Sequence, residues 1–353
     1  MPRVSEVAVI GFAEAPNVRR TDGTTNGVEM LVPIFREVFD QTGLSKEDVG
    51  FWCSGSSDYL AGRAFSFVSA VDAIGAFPPV MESHVEMDGA FALYEAWVKV
   101  LTGEAEIALA YGFGKSSAGD LRRVLALQLD PYVMAPLWPD SVSMAALQAR
   151  LGLDKGLWTE RGMAEVAARS RAAAVSNARA QLSGSVSVDE LLAAPVIADP
   201  LRAHDCAPIT DGAAVVVIAA ADRARELCAR PAWITGFEHR IDSGSFGARD
   251  LTTSPSAAAA GAAAGASGVE VAELHAPFTH QEIVLRSALG LPESVRISPS
   301  GGALAGNPMF AAGLARIGHA ARQISSGAAG SALGHATSGP ALQQNLVCVM
   351  EAR

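Results

Sequence analysis

The chain predicts an α/β fold in which a parallel or mixed sheet lies between layers of helices, and three observations carry that expectation. Strand-length runs such as VAVIGF (7–12), EIALAYGFG (106–114) and AAVVVIAAA (213–221) are almost wholly apolar, as strands covered on both faces require. Helical stretches rich in small residues stand between them, which is the strand–helix–strand order of a layered sheet. Two segments also echo each other: DGAFALYEAWVKVLTGEAEIALAYG and NPMFAAGLARIGHAARQISSGAAGSALGH. Both run loop, small-residue helix, glycine break, apolar strand, glycine, which suggests a duplicated α/β unit.

In chain order, VAVIGF is the first strand. After the turn-rich NVRRTDGTTN, apolar spacing in VEMLVPIFREVFDQTG (28–43) predicts a helix, with Gly43 as its C-cap. Ser45, Glu47 and Asp48 open a short turn before the strand GFWCSG, and FSFVSAVDAIGA (65–76) reads as a buried helix. HVEMDGAFALYEAWVKVL (84–101) reads as another, stopped at Gly103 and followed by the strand EIALAYGFG. Residues 115–205 hold the loop-like DPYVMAPLWPDSVS and one amphipathic helix at 159–181. They are expected to leave the sheet and form a lid or a dimer-facing subdomain. The chain re-enters the sheet with CAPITDGAAVVVIAA (206–220).

The second half opens with the strand PAWITGFEHR (231–240), so the expected division is 1–230 and 231–353. SPSAAAAGAAAGASG (254–268) is a small-residue helix or a flexible connection, and VEVAELHAPF (269–278) is a strand entering a polar loop. EIVLRSALGL is a helix, SPSGGALAGNPMFAAGLARIGHAARQI (298–324) a glycine-rich loop leading into a helix, and GSALGHATSGPALQQNLVCVMEA a closing β-hairpin.

Composition narrows the function classes. Half of the 353 residues are apolar and mean hydropathy is +0.24, a surplus that points to an extensive subunit interface. A net charge of −10 with no Lys/Arg cluster argues against nucleic acid. The longest apolar run is too short to span a bilayer, and MPRVSEVAVIGF lacks the order of a signal peptide. A cytoplasmic protein is expected. Cys53, Cys206, Cys228 and Cys348 show no metal-ligand spacing and read as small buried hydrophobes, so no metal and no resident cofactor are expected.

The acids Glu86 and Asp88 stand at the mouth of the apolar helix that follows them. Asp88 is a natural N-cap for a helix starting at Gly89, and both acids are also candidates for catalysis. A carboxylate such as Glu86 beside an apolar helix mouth should have a raised pKa.

Four motifs, in order, then carry a resemblance. AELHAPF (272–278) resembles the His-Asp-Cys-Phe loop of the sterol-carrier-protein thiolases, and SPSGGALAGNPMFAAGLARI resembles their Ser-Gly-Gly…Gly-His-Pro…Gly loop. CAPITDGAAVVVIAA resembles the strand that closes their first half, and HVEMDGAFAL stands where their nucleophile turn would be. The chain resembles the thiolase superfamily over nearly its whole length, in particular the "lipid-transfer protein" type of actinobacterial steroid and cholesterol catabolism. The resemblance implies a five-layer αβαβα core of two similar halves with a loop subdomain over the active site. It further implies an acyl-CoA substrate, and a homo- or hetero-oligomer with a thiolase-like chain. Some relatives need a small OB-fold/zinc partner subunit and cleave steroid side-chain acyl-CoAs by retro-aldol chemistry.

Departures from that pattern shape the expected chemistry. Matching the glycine of the nucleophile turn to Gly89 puts Glu86 where thiolases carry their cysteine, and no cysteine lies between Cys53 and Cys206. Thiolysis through a sulfur acyl-enzyme is therefore not expected. Asn307 replaces the His of Gly-His-Pro; it either donates to a thioester oxygen together with helix amides or caps the helix before Pro308. Ser300, Gly301 and Gly302 are implied as substrate-binding. His275 holds the family position and is either catalytic or a buried loop-fixing residue, and His335 stands on the loop where thiolases carry a second cysteine. His280 reads as a supporting or surface residue. The aldolase-type relatives use tyrosines at the places of His275 and Thr337, and this chain has neither. The expectation is an acyl-CoA aldolase, a lyase, with His275, His335, Glu86 and Asp88 as catalytic candidates. The alternatives are a non-catalytic scaffold subunit and an acyl-CoA or lipid carrier.

Overall fold

The computed structural model describes residues 6–22, 27–58 and 65–353. The first five residues and the end of the NVRRTDGTTN turn, both read above, lie outside them. The strands are β1 (Val7–Glu14), β2 (Phe51–Gly55), β3 (Glu82–Val85), β4 (Ile107–Lys115), β5 (Val196–Ala198), β6 (Leu201–Arg202), β7 (Asp211–Ala220), β8 (Ala232–Ile241), β9 (Val271–Glu273), β10 (Arg296–Ile297), β11 (Ser331–Ser338) and β12 (Gln344–Glu351). The helices are α1 (Gly27–Thr42), α2 (Val68–Ile74), α3 (Gly89–Leu101), α4 (Leu121–Ala126), α5 (Ser141–Asp154), α6 (Glu160–Ala173), α7 (Val188–Ala193), α8 (Ala221–Leu227), α9 (Pro255–Ala264), α10 (Thr279–Ala288) and α11 (Ala312–Ser325).

The large sheet runs β10-β9-β11-β12-β8-β1-β7-β4-β2-β3. Outward from its centre, β1-β7-β4-β2-β3 and β8-β12-β11-β9-β10 repeat one pattern. In each, the first three strands pair antiparallel and the last three parallel. Among the described residues the two runs join through β1 and β8 by two residue pairs, Ala8 with Trp233 and Val9 with Ala232.

The apolar strands are covered on both faces, as their composition demanded. In β7, Ala213, Val215, Val217 and Ala219 pack with Leu31, Ile34, Phe35 and Val38 of α1. The intervening Ala214, Val216 and Ile218 face a core shared with α3 and α11. In β12, Leu346, Cys348 and Met350 join that same core, whereas Val347 and Val349 pack with α9 and α10. Helix, sheet, helix pair, sheet and helix therefore follow one another as five layers, with α3 and α11 in the middle.

Several elements differ from expectation. ESHV forms the edge strand β3 ahead of α3, and SVSMAALQARLGLD forms α5 out of a stretch partly read as loop. The helix expected at 65–76 is shorter, α2, and buries only Ala70 and Ile74. The amphipathic helix expected at 159–181 ends at Ala173. Cys206 and Cys228 are half-buried, whereas Cys53 and Cys348 are fully buried.

Candidate active site

Helices α3 and α11 begin at the same place, and one carboxylate joins them. Asp88 has the extended backbone of an N-cap, and its Oδ1 accepts the Ala90 amide of α3 at 2.9 Å. The same carboxylate accepts the Leu314 amide on Oδ1 at 2.9 Å and the Gly313 amide on Oδ2 at 3.0 Å, both from α11. Burial pushes its carboxyl above the ordinary range, against the pull of these three amides and of Arg316. Asp88→Ala leaves three buried amides bare and is expected to lower stability by about 3 kcal/mol. A urea midpoint within experimental error of wild type would rule out the double cap.

In front of this junction lies a cavity of about 560 Å³. Its walls come from α4 and the start of α5 on one side, and from the loop after β9, the segment 307–310 and the β11–β12 turn on the other. Leu121, Leu125, Leu129, Val142, Met144, Pro277 and Phe278 make it largely apolar. Such a space takes a bulky hydrophobic group.

The polar floor is His275 and Asn307, beside Asp88 and Thr337. His275 Nδ1 accepts the Thr337 amide at 3.4 Å, which leaves Nε2–H to donate to Asn307 Oδ1 at 3.0 Å. Asn307 lines the cavity with its oxygen so held and its own backbone amide on Thr210 Oγ1 at 3.0 Å. Its side-chain NH2 has no protein acceptor among the described residues. Burial holds His275 down at about 4, with the Arg316 charge pulling the same way against the Asn307 bond. It is a neutral imidazole that orients a donor.

Behind this floor is a buried ion pair. Arg316 Nη1 lies 3.3 Å from Glu273 Oε2 and donates to Ser300 Oγ at 2.6 Å. Glu273 in turn accepts the Ser300 amide at 2.9 Å and hydroxyl at 2.7 Å. A second buried pair, His319 with Glu14 at 2.8 Å, lies further along α11. Sequence reasoning passed over all four of these residues. The available signal was a charged or imidazole side chain among apolar residues, on a helix for Arg316 and His319 and at a strand end for Glu14 and Glu273.

No family model matches the chain. It is 26% identical over 361 residues to the acetyl-CoA acetyltransferase of Methanothermobacter thermautotrophicus, covering 90% of this chain and 91% of that protein. It is 27% identical to the benzoylsuccinyl-CoA thiolase subunit BbsB of Thauera aromatica, over 47% of this chain and 50% of that one. Among solved structures, human mitochondrial 3-ketoacyl-CoA thiolase superposes with a TM-score of 0.80 at 16% identity, covering 99% of each chain. This is a thiolase-fold protein. The Ltp2-ChsH2(DUF35) aldolase superposes as closely, with a TM-score of 0.79 at 17% identity over 98% of each chain.

Within this thiolase fold the expected site residues separate. His275, Asn307 and Asp88 come together on the cavity wall. Glu86 does not join them. Its side chain is 48% exposed and accepts the Asp58 amide at 2.8 Å, with His84 Nε2 at 3.4 Å, so the apolar surroundings assumed for it are absent. His335 lies fully buried in β11 behind the wall, bonded to Asn345 Oδ1 at 2.9 Å, and does not line the cavity. Ser300, Gly301 and Gly302 do not line it either. Ser300 is taken up by Glu273 and Arg316, and Gly301 accepts the Ser170 hydroxyl at 2.5 Å, so the loop builds the wall from behind. The helix amides expected to hold an oxyanion are occupied by Asp88. His280 is fully buried, with Nε2 on Gln148 Oε1 at 3.1 Å. Cys206 lines the cavity, but burial pushes its thiol up to about 12, which leaves no thiolate to attack a thioester.

Proposed function

We propose that this thiolase-fold chain binds one bulky acyl-CoA thioester and takes part in retro-aldol cleavage of a β-hydroxyacyl-CoA, in the cytoplasm, during steroid side-chain degradation. The observation that carries this reading is Asn307, whose side-chain oxygen is held by His275 on the wall of a largely apolar cavity and whose NH2 is left without a protein acceptor among the described residues. An amide donor there stabilises the negative charge that grows on a thioester oxygen when the α-carbon becomes an enolate. The absence of a thiolate at the helix mouth argues against thiolysis. The likeness to an aldolase structure and the acyl-CoA names of the sequence relatives support the substrate class.

In the reaction the β-hydroxyl loses its proton, the Cα–Cβ bond breaks, and its electron pair passes into the thioester as an enolate. Protonation at the α-carbon then releases a shortened acyl-CoA and a ketone. Asn307 holds the enolate oxygen. His275 Nδ1 takes the hydroxyl proton by giving up its long 3.4 Å contact with the Thr337 amide, while Nε2–H stays on Asn307. No cofactor is required on this reading.

A partner belongs to the proposal. Strand β3 is the outer strand of the sheet, and Phe65, Phe77 and Met81 near it are 67%, 89% and 56% exposed. An open edge beside exposed apolar side chains supports an oligomer with a second thiolase-like chain, with or without a small OB-fold/zinc subunit. A scaffold reading also has an observation in its favour, since Asp88 fills the helix mouths and leaves one donor.

The two are separated by assaying the chain alone and co-expressed with a thiolase-like partner on a β-hydroxy steroid-acyl-CoA. Asn307→Ala is expected to lower turnover by roughly 10²–10³ and His275→Ala by a comparable factor, each assayed well below the variant's own melting temperature. Turnover by the complex that neither substitution affects supports the scaffold. Thiolysis with free CoA overturns the reading.

A further inference from the structure

Phe310 has φ +65°, a left-handed conformation that strains a bulky side chain and that glycine adopts freely. Three contacts hold it there. Its carbonyl accepts the Gly89 amide, the first of α3, at 2.7 Å. That carbonyl also lies against β4 so closely that a Cβ at Gly112 would come within 2.0 Å of it. The turn that contains it is closed by the Ala311 and Ala312 amides on the Pro308 carbonyl, at 3.1 and 2.9 Å. Phe310 also lines the cavity, between Asp88 at the helix mouths and the His275–Asn307 floor. Its carbonyl is spent on α3, so it does not offer that oxygen to a ligand.

A glycine would satisfy the same carbonyl bond without strain, so the backbone gives no reason for a phenylalanine. The cavity does. We propose that Phe310 is the specificity-determining wall of this cavity: its ring closes the space between the helix mouths and Asn307 and limits the bulk an acyl group may carry next to the thioester carbonyl. This rests on the acyl-CoA reading above and adds to it the group that sets acyl size. Acyl groups slender near the carbonyl pack against the ring, and groups branched at the α-carbon are held off.

The test is a comparison of wild type, Phe310→Ala and Phe310→Gly by calorimetric titration with butanoyl-CoA and with a 2-methyl-branched acyl-CoA of steroid size. In both variants butanoyl-CoA is expected to bind at least fivefold more weakly while the branched thioester binds as well or better. The ratio of the two affinities then moves by about tenfold. Phe310→Gly is also expected to unfold about 1–2 °C above Phe310→Ala, because only glycine relieves the backbone. A ratio unchanged within twofold in both variants overturns the size limit, and a glycine variant no more stable than the alanine variant overturns the strain. If the wild type binds neither thioester, the acyl-CoA reading itself falls and the size limit with it.

Discussion

Arg316→Met is expected to lower stability by roughly 3–5 kcal/mol, because it strands a buried carboxylate. Glu273 is fully buried, and Arg316, itself 2% exposed, is its cationic partner. The same Nη1 donates to Ser300 Oγ, so the substitution also loosens the start of the loop that ends at Asn307. Both effects should appear together: a lower denaturant midpoint, and a larger fall in thioester binding than the lost stability accounts for. Replacing Glu273 by Gln in the same chain removes the stranded charge and should recover much of the stability. A single variant that unfolds within 1 kcal/mol of wild type would mean that the pair is not charged in the folded protein.

Acid is expected to unfold this protein early, through histidines held neutral. Burial holds His275 at about 4, and His280 and His335 at about 3, whereas an unfolded histidine titrates near 6.5. Between those values the unfolded chain binds protons that the folded chain refuses, so stability falls as pH falls below about 6.5. Each histidine contributes a slope approaching 1.4 kcal/mol per pH unit, and the three together roughly 6 kcal/mol by pH 5. Asp88 and Glu282 work the other way, since burial raises both and the folded chain takes up their protons first. His280→Gln isolates one contribution: urea midpoints from pH 7 to 5 should lose about one proton's worth of slope. An unchanged slope would mean that His280 is charged in the folded state. Within the same window His275 stays neutral, so the Asn307 donor keeps its orientation.

The sequence made some of this legible and hid the rest for definite reasons. An unbroken valine run between turns can only be a strand covered on both faces, which is why β7 and with it the layered sheet could be read. ESHV could not, because an edge strand half open to solvent carries polar residues and shows no apolar pattern. That Asp88 caps α3 follows from the Asp-Gly step at the helix start. That it also caps α11 does not, since those amides lie 225 and 226 residues away. The resemblance of its loop to the Ser-Gly-Gly motif marked Ser300 as substrate-binding. Its hydroxyl was in fact committed to Glu273 and Arg316, whose pairing across 43 residues no local pattern reveals.

The two runs of the sheet repeat one topology, yet their central helices are not equals. The residue before helix α11, Ala311, offers no side-chain cap of its own, and the acid that accepts its Gly313 and Leu314 amides sits on the other run. The first run lends a carboxylate, Asp88, to two amides of α11, and the second run returns a backbone carbonyl, that of Phe310, to the first amide of α3. Neither central helix has its amino end fully satisfied by its own half, so the junction is complete only when both runs are in place.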